Sequence, residues 1–106
     1  MTVEEQVKAI TQALDDKKAE DVRTYDVRGV SGLCDFFVVA TGTAAPHLKG
    51  LVAGVQQAMK SLGVDSFRTF GDPESGWIAV DYIDVVVHVF SPEARAYYAL
   101  EKLWQR

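Results

Sequence analysis

The chain has 106 residues and a mass of 11.7 kDa, the size of a single domain that can bury one core without disulfide or metal staples. Hydrophobic residues at 48% and charged residues at 25% exclude disordered, collagen-like and coiled-coil classes. Fifteen acids against eleven bases leave a formal charge of −4, which suits a basic protein partner better than a phosphate backbone.

From the amino terminus, Val3, Val7, Ile10 and Leu14 form a helical stripe, and Thr2 with Glu5 offers a capping box, so a helix is expected over about 2–18. The charged run Asp15 to Asp21 reads as its solvated end. Residues 22–27 alternate with period two, as a half-buried strand does. After punctuation at Gly29, Ser31 and Gly32, the apolar run 35–41 has the composition of a central strand covered on both faces. Asp35, at its start, is expected to accept backbone N–H bonds from the Ser31–Gly32 turn. Leu48, Leu51, Val52, Val55 and Met59 predict a second helix over about 44–61, with Gly63 at its stop. Residues 66–70 suggest a short strand and 71–76 a surface loop.

Residues 77–81 and 84–90 form the pattern of an antiparallel hairpin joined by Tyr82 and Ile83. Val85, Val87 and Val89 fall on one face, with Val86, His88 and Phe90 on the other. Ser91, Pro92 and Glu93 supply an N-cap, a first-position proline and a first-turn acid for a final helix to about 104, with Tyr97, Leu100, Leu103 and Trp104 near one side. The order α-β-β-α-β-β-β-α predicts an α/β domain, residues 1–106, with a mixed sheet of about five strands packed against helices.

Candidate chemistry is sparse. Cys34 and a histidine base would need an orienting third group that the sequence does not supply, so Cys34 reads as a small buried hydrophobe. Thr41-Gly42-Thr43 lies between strand and helix, where backbone N–H groups can hold phosphate, yet it lacks the glycines and lysine of the established fingerprints. Asp81 and Asp84 flank a turn and do not converge as a metal pair. His88 reads as a core histidine with both ring nitrogens bonded, and His47 as an exposed or capping residue. Two histidines and one cysteine fall short of a structural zinc site, so no metal, cofactor or catalytic residue is expected. No apolar run reaches the ~20 residues of a membrane span, and the carboxylates near Met1 are foreign to a signal or transit peptide. The unusual feature is the hairpin tip. Trp77, Tyr82 and Ile83 rimmed by Asp72, Glu74, Asp81 and Asp84 describe an exposed apolar anchor with an acidic border, the composition of a protein-protein hot spot.

The stretches 35–42, Gly76-Trp77, 81–90 and 95–104 together resemble the ribosomal silencing factor (Iojap-like) family, in the same order and over about 3–104. Cys34, commonly threonine there, and Ile83, usually smaller or more polar, depart from the pattern. The resemblance implies a nucleotidyltransferase-like fold without transferase activity, in a cytoplasmic translation repressor. Its implied partner is the large ribosomal subunit, through ribosomal protein number fourteen, with little direct nucleic-acid contact. That position would block joining of the small subunit when nutrients are scarce. By motif position, the partner-binding role falls on Trp77, Ile78, Asp81, Tyr82 and Asp84, and further on His88 and Arg95. The reading allows a homodimer when the chain is unbound. The alternative is a nucleotide-binding enzyme of nucleotidyltransferase type using the Thr41-Gly42-Thr43 turn.

Overall fold

The computed structural model describes residues 2–30, 32 and 34–103, with side chains described to residue 102. Helix α1 (Val3–Asp16) starts where Thr2 Oγ1 accepts the Glu5 N–H at 3.1 Å, and it buries Ile10, Ala13 and Leu14. Helix α2 (Ala45–Ser61) buries Leu48, Leu51, Val52, Val55 and Met59, the predicted stripe. Gly63 follows it at φ +79°, and its N–H reaches the Lys60 carbonyl at 2.9 Å. A left-handed residue is what lets a helix end in this way.

Five strands, β1 (Glu20–Asp26), β2 (Phe36–Thr41), β3 (Arg68–Asp72), β4 (Trp77–Asp81) and β5 (Val85–Phe90), form one sheet in the order β1-β2-β5-β4-β3. Only β2 and β5 run parallel; the other neighbours are antiparallel. All six residues of β2 are buried, as a strand covered on both faces requires. The main core lies between α1, α2 and one face of the sheet, where Val38, Ala40, Ile78, Val80, Val85, Val87 and Val89 meet the helical stripes. On the other face, Val39, Phe90 and Ala94 form a smaller cluster under helix α3 (Pro92–Tyr98), and Val27, Cys34 and Phe37 another. The predicted division of β5 into two faces and the mixed α/β sheet are thus both present.

Three expectations are corrected. The third strand begins two residues later than read, and Pro73–Ser75 form a 3-10 turn capped by Asp72. The last helix is half the predicted length. It stops at Tyr98, Ala99 turns left-handed at φ +47°, and a 3-10 segment (Leu100–Leu103) folds back. The break ends the i, i+3 register, so Tyr97 is 82% exposed, not aligned with Leu100. Tyr82 is also buried, at 5% exposure, in the main core. Strand alternation continues one residue past β4, which sends Tyr82 with Ile78 and Val80 toward the helices. Of the two apolar tip residues, Ile83 alone projects, at 59% exposure. The expected bonds from the turn to the Asp35 carboxylate involve Ser31, and the helical stripe ran to Trp104; both of these lie outside the described residues.

Candidate partner-binding face

The sheet face turned away from α1 and α2 is only partly covered. Helix α3 shields one end, held by Ser91 Oγ accepting the Ala94 N–H at 3.1 Å. Beside it the aromatic side chains are continuous. The Trp77 ring stacks on Phe90 at 5.3 Å and meets Tyr98 at 4.7 Å; His88 lies 5.1 Å from Phe37 and 5.8 Å from Trp77. Trp77 is half-buried here, and its indole N–H donates to His88 Nδ1 at 3.1 Å. It is therefore a wall of the aromatic cluster with one free side, which replaces the picture of a free-standing anchor. Phe70, Tyr97 and Tyr98 add exposed apolar surface that the hairpin-centred reading missed. Alternation within β3 and the aromatic pair at 97–98 are the signals that mark them.

Trp77, Asp81 and His88 thus share this face, because odd positions of β4 and even positions of β5 point the same way across the Trp77↔Phe90 and Ala79↔His88 pairs. Ile78 and Tyr82 do not. Both are 5% exposed on the helical side, where they support the core and offer a partner no side-chain surface. Asp84 is exposed at the tip, and its carbonyl accepts the N–H groups of Asp35 and Phe36 at 2.8 and 3.1 Å. Asp81 Oδ1 accepts the Ile83 N–H at 2.7 Å and its other oxygen lies 3.6 Å from Arg68 Nε. Arg95 stands apart, over the β1–β2 side. Its guanidinium bonds Glu101 at 2.7 and 3.0 Å, the Thr41 hydroxyl at 2.7 Å and the Asp21 carbonyl at 2.8 Å. Tyr25 donates its hydroxyl to the same Glu101. Arg95 fastens the carboxyl-terminal segment to the sheet.

The electrostatics oppose catalysis at the two groups best placed for it. Burial lowers the His88 pKa to about 4, with Asp81 acting weakly the other way, so the ring is neutral and accepts from Trp77. Its Nε2 is buried without a hydrogen-bond partner, which corrects the expectation that both ring nitrogens are bonded. Burial raises the Cys34 thiol, with Asp81 and Asp35 adding to the effect, which removes the thiolate a nucleophile needs. The Thr41-Gly42-Thr43 turn is occupied by the fold itself. The Gly42 N–H donates to the Phe90 carbonyl at 2.9 Å, and the Thr43 N–H to His47 Nδ1 at 2.9 Å. A side chain on Gly42 would meet Leu48 at 2.7 Å. His47 is neither exposed nor the helix cap: the N-cap of α2 is Ala44, without a side-chain bond, and half-buried His47 bridges the Thr43 N–H to the Lys17 carbonyl, 2.8 Å from its Nε2. Among the described residues, no three His, Cys, Asp or Glu side chains come together as a metal site would need.

The sequence matches the family described as "Ribosomal silencing factor during starvation" over residues 1–106. The chain belongs to the ribosomal silencing factor family. Among its relatives, the ribosomal silencing factor RsfS of Halalkalibacterium halodurans is 36% identical over 98% of this chain and 89% of that protein. The Chromobacterium violaceum factor is 38% identical over 98% of this chain and 85% of its own length. The mouse protein named "Mitochondrial assembly of ribosomal large subunit protein 1" is 31% identical over 90% of this chain and 43% of that protein. A crystal structure of a Chromobacterium violaceum protein superposes with a TM-score of 0.95 at 37% identity, covering 100% of this chain and 90% of that one. Silencing-factor membership thus extends over the whole α/β domain. Among the described residues, no helix is long and apolar enough to cross a membrane.

Proposed function

We propose that this chain represses translation by binding the large ribosomal subunit through ribosomal protein number fourteen, and that the bound chain keeps the small subunit from joining when nutrients are scarce. It acts in the cytoplasm by occupying a surface, without catalysis. The observation that carries this reading is the aromatic face of Trp77, Phe70 and Tyr98, bordered by Asp81 and Asp84, in a member of the silencing factor family. Exposed apolar area beside carboxylates favours a basic protein surface, with steering from the chain's net charge of −4. The mouse relative's name ties it to the large subunit, which supports the choice of subunit. Of the residues assigned by motif, Trp77, Asp81 and Asp84 would contact the partner. Ile78, Tyr82 and His88 would shape the face from beneath, and Arg95 would hold the segment at its border. The nucleotide alternative is disfavoured because the Gly42 and Thr43 N–H groups already have partners.

Co-sedimentation with purified subunits tests the proposal. The chain should pellet with large subunits and little with small subunits or assembled ribosomes; equal pelleting with both subunits would reject it. Tyr98→Ala, which truncates an exposed ring on this face, should weaken binding at least ~30-fold if it is an anchor. Saturable heat on titrating nucleoside triphosphate and magnesium would restore the enzyme reading.

A further inference from the structure

Two left-handed residues meet at one ion pair. Asp21 and Ala99, each at φ +47°, adopt a backbone region that residues with a Cβ seldom occupy, and both serve Arg95. Asp21 turns its carbonyl to Arg95 Nη1 at 2.8 Å and its carboxylate to Nη2 at 3.4 Å. Ala99 folds the chain back so that Glu101 accepts from Nε and Nη2 of the same guanidinium, while Thr41 Oγ1 takes the other Nη1 bond at 2.7 Å. Strain of this kind persists only where surrounding contacts over-determine it, and it collects at switches. The Arg95 and Glu101 side chains are 11% and 17% exposed, so salt screens the pair little.

The folded-back segment sits on its own sheet as a bound ligand would. Leu100 packs on Val39, Phe90 and Ala94, the cluster that Trp77 also borders, while Glu101 holds Arg95 and accepts the Tyr25 hydroxyl. These contacts require the break at Ala99. Were α3 to run on as a regular helix, Glu101 would lie six positions beyond Arg95, about 240° round the axis and out of its reach. Leu100, as far beyond Ala94, would turn away from the cluster by the same angle. The closed and helical arrangements therefore exclude each other, as the two forms of a switch must. Local sequence favours the helical one, since Tyr97 to Lys102 contain no glycine, proline or β-branched residue.

We propose that residues 99–103 are an autoinhibitory cover on the partner-binding face, closed by Arg95 and Glu101 and opened by continuation of α3, and that the partner binds the open form. Opening bares apolar surface of Val39 and Phe90 beside Trp77. It also frees the Nε and Nη2 donors of Arg95 for an acceptor on the partner, for which a main-chain carbonyl of a basic protein is suited. The partner's identity rests on the ribosomal reading above. A partner that takes only the open form binds in proportion to the open fraction. Two variants move that fraction in opposite directions. Glu101→Gln removes the charged acceptor and should tighten binding to purified large subunits at least about five-fold, whereas a purely structural pair would leave binding unchanged or weaker. Ala99→Gly admits the left-handed turn and disfavours the helix, so it should weaken binding about five-fold while raising thermal stability. It also keeps the test decisive if Glu101→Gln does not fold. In the free chain, solvent exchange of the Arg95 Nε proton reports opening without ribosomes and should be about five-fold slower in Ala99→Gly. Unchanged or weaker binding of folded Glu101→Gln overturns the proposal. So does unchanged or tighter binding of Ala99→Gly, or an Arg95 exchange rate that Ala99→Gly leaves unaltered. An unmodified chain that fails to pellet with large subunits refutes the ribosomal reading instead, and the exchange rates still decide whether the cover opens.

Discussion

Ile83 carries the clearest local strain. Its φ of +75° belongs to a region that β-branched residues avoid, and the Asp84 N–H closes a three-residue turn on the Tyr82 carbonyl at 2.9 Å. Asp81 holds the Ile83 N–H from below, and the side chain is mostly in solvent, so little packing offsets the cost. Ile83→Gly should therefore raise stability by about 1 kcal/mol, relief of ~1–2 exceeding the entropy of a freer unfolded chain, as a urea midpoint would show. His88 has a different signature. Its folded pKa, about 4, lies below the value near 6.5 of the unfolded chain. The neutral ring's contribution is complete above pH 6.5 and is lost as pH falls toward 4, because the unfolded state binds the proton first. The loss is on the order of 3 kcal/mol by pH 4. His88→Gln should flatten that part of the stability curve, and identical pH slopes in both proteins would contradict the assignment. The sequence marked the Tyr82-Ile83 tip as unusual and read His88 as a core histidine. It placed His88 on the correct face of β5, but an apolar Tyr-Ile tip gave no sign that one side chain turns inward and the other outward. That outcome depends on alternation persisting beyond the last ladder pair.

At the scale of elements, the end of α3 is the place where local and tertiary preferences conflict. Nothing in Tyr97-Tyr98-Ala99-Leu100 breaks a helix, yet Ala99 is left-handed and donates its N–H to the Arg95 carbonyl at 3.0 Å. The turn returns Glu101 to Arg95 and Tyr25, contacts a straight helix would forgo. Ala99→Gly should stabilise the protein by about 0.5–1 kcal/mol by admitting that φ without strain. Glu101→Gln should cost about 1–3 kcal/mol, since Arg95 and Tyr25 lose a charged acceptor, and should speed proteolysis after Tyr98. Arg95 and, secondarily, Tyr25 hold the Glu101 carboxyl below the usual range, so this stabilisation is present at neutral pH and fades in acid. The stripes of α1 and α2, the covered β2 and the faces of β5 were legible because each is a periodic pattern. The break at Ala99 was not, because the contacts that favour it include hydrogen bonds from Tyr25 to Glu101 and from Arg95 to the Asp21 carbonyl, which tie the segment to a strand more than seventy residues away.

For the whole molecule, the decisive geometry is the place of β5 in the sheet. It is the last strand in the chain and the middle strand in space, bound to β2 on one side and β4 on the other. Without it, β1–β2 and β3–β4 are two separate hairpins, each too small to be stable alone. A chain ended after Asp84 should show no cooperative thermal transition, whereas removing residues after Leu103 should leave one. During synthesis the consequence is a matter of timing. Until Val85–Phe90 has emerged, the nascent chain carries two apolar strands, β2 and β4, each with an edge open to the wrong neighbour. Folding then becomes possible in a single step once β5 is out, so its yield should depend on how quickly the codons for Val85–Phe90 and those just after them are read.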